Sequence, residues 1–318
     1  MPQALDEELT PVELSRYCSV LVPVECSPFS EHALPLALSI ANWAGATLQV
    51  VHVHAPVASE HSSSELAYDL DSSVIQEEYG YLNGLAKRLA CFSSTRVTTS
   101  LMTGPVAETL GEVARGSDLI VMATHGRGPL SRFWLGSVAD KLVRKSPVPI
   151  VLVRPQEEGI DLADKPVLHH ILIPLDGSEL AEQVLEPALE LGRLMEGDCT
   201  LLRAIEPVIV PDAHLGGNAL TGLDASVRRQ LEAQAQTYLD RVAERLRRES
   251  IPVRTRVVFN RSAAVAILEE ARAHAIDLIA LETHGRGGMA RLLLGSVADK
   301  VLRGASIPVL MHRATETP

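Results

Sequence analysis

Aromatic side chains are scarce, at 3% of 318 residues. A core in this chain must therefore be built from Leu, Val, Ile and Ala. At 46% hydrophobic and 22% charged residues, the chain has the balance of a soluble globular protein. Cysteine is scarce as well. The four cysteines (Cys18, Cys26, Cys91 and Cys199) lie far apart, and none forms a CxxC pair. That spacing excludes a zinc knuckle and a disulfide scaffold, and reads as small buried hydrophobes or inert thiols. Long apolar runs are missing. No segment approaches the ~18 residues of a membrane helix. The first 17 residues, MPQALDEELTPVELSRY, have neither the basic start nor the apolar stretch of a secretory leader. No membrane partner is expected, and the cytoplasm is the expected compartment. An excess of positive charge is missing too. The formal net charge is −11 and the pI is about 5.5, which argues against nucleic acid as a partner.

What the chain does have is repetition. VMATHGRGPLSRFWLGSVADKLVRKSPVPIVLVR, starting at Val121, returns as ALETHGRGGMARLLLGSVADKVLRGASIPVLMHR, starting at Ala280. His125 recurs as His284, 159 positions on. Upstream, SVLVPVECS at Ser19 returns as HILIPLDGS at His170, an offset of 151. The chain is thus two copies of one unit. The first is expected over residues 1–154 and the second over 167–318. The proline-flanked acidic stretch 155–166 reads as a linker.

Within each copy, short β-branched runs alternate with helical periodicity. In the first copy, strands are expected at 19–24, 47–55, 96–104, 118–124 and 148–154. Helices are expected at 30–45, 74–90, 106–116 and from 137. Near-continuous apolar runs such as DLIVMA suit strands buried on both faces. Alternation with helices implies right-handed crossovers and a parallel sheet. The fold class expected is α/β: two tandem doubly wound domains, each with a five-stranded parallel sheet. Ligands of such sheets bind at the carboxyl ends of the strands, near the switch in strand order.

The fourth strand of each copy runs into a glycine loop. Nine residues separate Gly126 from Gly136-Ser137, and nine separate Gly285 from Gly295-Ser296. Glycine lets a backbone approach an anion closely. A helix start offers unpaired N–H groups and a partial positive charge. A serine placed there is expected to cap the helix or donate to a phosphate oxygen. Together these make an anion site, although a tight turn with an ordinary serine cap accounts for the same residues.

The loop resembles that of the universal stress protein family: glycine, two residues, glycine, nine residues, then glycine followed by Ser or Thr. The resemblance covers nearly the whole chain as a tandem pair, carried by THGRG, GSVADK and a closing PVxVL strand. It implies a Rossmann-like fold of the adenine nucleotide alpha hydrolase-like kind, and an adenine nucleotide as ligand. The implied cofactor is ATP, accompanied by Mg²⁺ for which no protein ligand is predictable. In binding members, an Asp after the first strand contacts the base, a Val on the second strand lies against the adenine, and the loop holds ribose and phosphates. Carried over residue by residue, the first copy offers Pro23, Val53, Gly126, Gly136, Ser137 and Val138 as matches. Glu25 stands where Asp is usual, Cys26 follows where glycine is common, and Ala123 replaces the first motif glycine. The second copy offers Pro174, Asp176, Gly177, Ser178, Gly285, Gly295, Ser296 and Val297. There Ala204 replaces the valine, and Glu282 takes the first motif glycine, where a carboxylate is expected to crowd the ligand and repel its phosphates. The first copy is therefore expected to hold nucleotide more tightly.

Further candidates read more plainly. His52 and His54 share one face of a strand, as a metal pair would. No Cys, Asp or Glu pattern beside them completes a site, so they read as structural or solvent-facing, and no metal site is expected. His125 and His284 read as braces of their loops, and Arg127 and Arg286 as phosphate contacts or solvated side chains. Arg245, Arg247 and Arg248 read as a solvated helix face, and Ser59–Ser64 as a loop. No catalytic set is evident: there is no P-loop lysine and no base placed by a motif. The function expected is an ATP-binding regulatory, stress-response module. The alternatives are an interaction module that has lost the nucleotide, and a weak ATP-cleaving enzyme. The terminal strands 148–153 and 307–312 are apolar edges, expected to pair within the chain as a pseudo-dimer, with further homodimerisation following.

Overall fold

A computed structural model describes residues 16–56, 65–124, 135–156, 159–206, 225–248, 251–283 and 294–313, with the backbone alone for 65–70. The first half comprises β1 (Ser19–Val24), α1 (Pro28–Glu31), α2 (Leu34–Ala44), β2 (Thr47–His54), α3 (Glu65–Phe92), β3 (Val97–Thr103), α4 (Val106–Val113), β4 (Leu119–Ala123), α5 (Ser137–Lys145) and β5 (Ile150–Val153). The second repeats the order as β6 (His170–Pro174), α6 (Glu179–Glu182), α7 (Leu185–Leu194), β7 (Asp198–Ile205), α8 (Ala225–Arg247), β8 (Val253–Phe259), α9 (Ala263–Ala273), β9 (Leu278–Glu282), α10 (Ser296–Gly304) and β10 (Val309–His312).

Each half is a parallel sheet with the strand order of a doubly wound fold. The first runs β3-β2-β1-β4-β5 and the second mirrors it as β8-β7-β6-β9-β10. The order reverses between β1 and β4, and between β6 and β9. β1 and β4 are buried at every position, as expected for strands covered on both faces. Pleat alternation then divides the core in two. Val20, Val22 and Val24 face α2 and α3, while Leu21, Val51 and Val53 face α4 and α5.

The closing strands lie against each other. β10 pairs antiparallel with β5 through Val309–Leu152, Leu310–Val151 and Met311–Ile150, giving one ten-stranded sheet. Both core layers cross this seam: Leu34 and Val151 share one layer with Leu189 and Leu310, and Leu142 and Leu152 share the other with Val301 and Met311. The buried Tyr17 hydroxyl donates to the Pro187 carbonyl at 3.2 Å, and Arg154 Nη1 donates to the Ala305 carbonyl at 3.3 Å.

Local chemistry shifted several boundaries. The helix expected over 30–45 is two helices. Ser27, rather than Ser30, caps the first by accepting the Ser30 N–H, and the chain turns at His32 and Ala33 before Pro35 takes an early position in α2. Within 155–166, Leu162 is buried and Ile160 packs beside it, so this stretch is anchored to the core rather than merely polar. Its composition hid two apolar anchors among acids.

A carboxylate ties each long helix down, buried in the first half and partly buried in the second. Glu31, with a side chain only 7% exposed, receives Arg88 Nη2 at 2.7 Å and the Tyr81 hydroxyl at 2.9 Å. Glu182 receives Arg245 at 2.7 Å and Tyr238 at 3.0 Å in the equivalent places. Burial, reinforced by the adjacent carboxylate, holds both phenols protonated well above the ordinary tyrosine range. Arg245, Arg247 and Arg248 are exposed, as expected of a solvated face, and Arg245 also anchors α8 through Glu182. Arg247 donates to the Val253 carbonyl.

The cysteines divide by burial. Cys18 and Cys91 are exposed and Cys199 is buried, so the expected burial holds only for the last. Burial pushes the Cys199 thiol up to about 12, so at pH 8 it carries almost no thiolate, the reactive form. Native protein treated with a thiol reagent at pH 8 should modify Cys18 and Cys91 quickly. Cys199 should react only after unfolding. Peptide mapping of the labelled sites checks this.

Candidate functional site

The strands of each half end along one edge, and the crevice lies where the order reverses. In the first half, β1 ends at Val24 and β4 at Ala123, with the start of α5 above them. The loop between β4 and α5 is closed at its base. Thr124 N–H donates to the Val153 carbonyl at 2.9 Å, and the Thr124 carbonyl accepts the Gly136 N–H at 2.8 Å. The second half repeats this: Thr283 N–H to the His312 carbonyl at 2.9 Å, and Gly295 N–H to the Thr283 carbonyl at 2.8 Å. His125, Gly126 and Arg127, with His284, Gly285 and Arg286, lie outside the described residues, as does Ser59–Ser64.

The helix starts differ from expectation in one respect. Gly136 and Gly295 are themselves the N-caps, with φ near −58°, and no side chain caps either helix. Ser137 and Ser296 are the first helical residues and are exposed. The reason is the pinch: the residue bonded to Thr124 must leave the loop in extended geometry, which is the cap position, one place before the serine. Asp140 N–H donates to the Gly136 carbonyl at 2.8 Å, so the N–H groups of Ser137, Val138 and Ala139 have no acceptor within the helix. An anion set over this end meets those donors and the helix dipole together.

The other side of the crevice is formed by the turn after the first strand. In the second half, Asp176 Oδ1 accepts Ser178 N at 2.9 Å and Ser178 Oγ at 2.6 Å. In the first half, Glu25 Oε1 accepts Ser27 Oγ at 2.7 Å, while Glu25 N–H donates to Ser30 Oγ at 3.1 Å. The longer Glu therefore reaches the same serine but leaves that serine's N–H. Cys26 and Gly177 hold the turn with φ of 55° and 83°. Left-handed backbone costs a residue with a Cβ about 1–2 kcal/mol. Cys26→Gly is expected to raise stability by about 1 kcal/mol, less the entropy glycine loses on folding. Chemical denaturation of the two proteins measures the difference.

Pro23 is buried, and Val53 is 5% exposed in the layer that includes Met122 and the α5 residues Ala139 and Leu142. The matching Pro174 and Ala204 are half-buried. Val138 and Val297 pack on the same layer from the helix starts. Ala123 and Glu282 end their strands. Glu282 is buried and bonded to His312, its register partner on β10. Leu281 faces α9 and α10, so pleat alternation sends Glu282 to the opposite side of the sheet. Its carboxylate lies there against His312.

Of the two readings of His52 and His54, the structural one holds and the solvent-facing one does not. Their rings are buried beneath α3, against Glu78 and Asp71. The missed signal lay in α3 itself. Asp71 and Glu78 continue the inward stripe of Leu82, Leu85 and Leu89, so acids occupy core positions opposite two inward histidines.

The universal stress protein family model matches residues 16–154 and again 168–313. A universal stress protein of Mycobacterium tuberculosis strain H37Rv is 31% identical over 226 residues, covering 68% of this chain and 69% of the relative. One from Mycolicibacterium smegmatis is 26% identical over 314 residues, covering 92% of this chain and 96% of the relative. The crystal structure of a universal stress protein from Archaeoglobus fulgidus superposes with a TM-score of 0.63 at 19% identity, covering 94% of this chain and 97% of that one. The chain belongs to the universal stress protein family, with two family domains in tandem.

Proposed function

We propose that this chain is a regulatory nucleotide-binding protein that takes ATP, with the first half as the stronger site. The observation that carries the reading is the start of α5. A glycine-capped helix end with three N–H groups lacking a helical acceptor opens at the switch between β1 and β4. Phosphates fit there by charge and geometry. An adenine fits between Val53 and the turn at Glu25, whose carboxylate is the acceptor on this chain for the amino group of the base. Among the described residues, no three His, Cys, Asp or Glu groups form a metal cage. Mg²⁺ accompanying ATP would be held mainly through the phosphates. We take residues 1–154 and 167–318 as the two modules, joined by 155–166, and the β5–β10 pairing as an intramolecular pseudo-dimer.

The ranking of the halves rests on Val53 against the smaller, half-exposed Ala204, since Glu282 is turned away and paired. That pair favours a second reading for the second half, as a structural partner that supports the first rather than a filled site. A thermal melt with millimolar ATP tests the proposal. Ligand at 100 times its Kd stabilises the native state by about 2.7 kcal/mol, a rise in Tm of several degrees. An unchanged melting temperature would favour an interaction module without nucleotide.

A further inference from the structure

The ten-stranded sheet ends in two edge strands, β3 and β8. They hold equivalent places, with Val97 in register with Leu48 and Val253 with Cys199. Their chemistry is opposite. In β8, the Pro252 carbonyl and the Asn260 N–H turn inward to β7. Alternation along the strand turns Val253 outward, where Arg247 donates to its carbonyl at 3.1 Å. Thr255 Oγ1 accepts Gln236 Nε2 at 2.8 Å. Arg254 and Arg256 stand on the strand itself, held by Asp198 at 2.8 Å and by the buried Glu270 at 2.9 Å. Arg228 lies over the Phe259 ring at the strand end, 4.6 Å from its centroid. Arginines guard this edge along its length.

The first half has none of them. The offset that carries Tyr81 onto Tyr238 sets Ala90 in the place of Arg247, Tyr79 in that of Gln236 and Asp71 in that of Arg228. The strand register sets Thr98 and Ser100 in the places of Arg254 and Arg256. The acids that held those arginines are replaced as well, Asp198 by Thr47 and Glu270 by Val113. From Val97 to Thr103 the strand carries no charge, in a chain of net charge −11. The Arg96 carbonyl turns inward to Leu48 N–H at 2.9 Å, and Gly104 N–H turns inward to the His54 carbonyl at 3.1 Å. Alternation then turns the N–H and C=O groups of Val97, Thr99, Leu101 and Thr103 outward. Among the described residues nothing bonds to these groups. Met102 on the strand and Tyr79 on α3 are both exposed, so apolar surface accompanies the open edge.

We propose that β3 is an association edge and that its occupant is β3 of a second copy of this chain, paired antiparallel about a two-fold axis at Ser100. In that register Thr99 meets Leu101 of the second copy and Val97 meets its Thr103, so every outward N–H and C=O finds a partner. An uncharged strand meets itself without opposing like charges, although the chain as a whole is acidic. With β8 guarded, one edge per chain is open, and association closes at a dimer instead of running on as a filament. The chain already contains such a junction, where β10 lies antiparallel to β5. The dimer does not rest on the nucleotide reading.

Sedimentation velocity of the full chain should give twice the 34.3 kDa of one copy in the micromolar range. Ser100→Arg sets two like charges face to face on the axis. Arginine already occupies the equivalent place in β8, so the fold should persist. Thr99→Pro removes an outward N–H from an edge, where proline is tolerated. The symmetry applies each change twice, so each should weaken the dimer about tenfold or more. Circular dichroism checks that both variants are folded. Amide exchange should show Val97, Thr99, Leu101 and Thr103 protected in concentrated wild type and exposed on dilution and in Ser100→Arg, with 253–259 unchanged. A single copy at every concentration, which would leave β3 to an extended segment of another protein, would overturn the proposal. So would a dimer that both folded variants retain at full strength.

Discussion

Leu310→Asp is expected to unfold both halves of the chain together. Leu310 is fully buried on β10, between β9 and β5, with Ala280 and Val151 as its register partners. The substitution forfeits about 1.5–3 kcal/mol of side-chain burial. It also places a carboxylate where no partner reaches it, for a further several kcal/mol. Domains of this kind are stable by only about 5–15 kcal/mol, so the variant should be largely unfolded or insoluble. The milder Leu310→Ala should remain folded and lose about 2–5 kcal/mol. Both core layers cross the β5–β10 seam, and Tyr17 and Arg154 add bonds across it. Calorimetry of Leu310→Ala should therefore show one transition shifted as a whole. Two transitions, with only one displaced, would show that the halves fold independently.

The second large effect is on ligand binding. Gly136→Val should weaken ATP binding at least about tenfold, which is ~1.4 kcal/mol. Glycine at this cap leaves the helix end bare, and a valine sets an isopropyl group beside the N–H groups of Ser137 and Val138. The extended geometry of the cap, with φ −59° and ψ 151°, is open to valine, so the fold should persist. Losing a favoured cap residue costs only about 1 kcal/mol of stability. Gly295→Val should lower ATP binding far less, because on the proposed reading the smaller, half-buried Ala204 stands where the first half has Val53. Isothermal titration of the two variants, with melting curves as controls, measures both effects.

Much of this was legible before any coordinates. The repeat offsets, the β-branched runs and the helical spacing gave the strand order class, and both glycine-loop anchors lie at helix starts. What stayed hidden depended on partners distant in sequence. The break at His32 follows from Ser27 capping a single turn ahead of Pro35, a competition between two local signals. Glu282 looked hostile to phosphate because its residue type was visible but its register partner His312 was not. The choice between structural and solvent-facing histidines stayed open because Glu78 and Asp71 come from a helix that begins eleven residues after β2 ends. Two acids at inward positions of α3 were the one sequence sign of that cluster.

We propose that the chain binds an adenine nucleotide, more strongly in its first half than in its second. Mass spectrometry of nucleotide released from natively purified protein tests it most directly, with the wild type, Gly136→Val and Gly295→Val run side by side. The account predicts ATP from the wild type and from Gly295→Val, and a marked loss from Gly136→Val. Nucleotide retained by Gly136→Val but lost from Gly295→Val would reverse the ranking, and no nucleotide from any of the three, together with no thermal shift in millimolar ATP, would contradict the account.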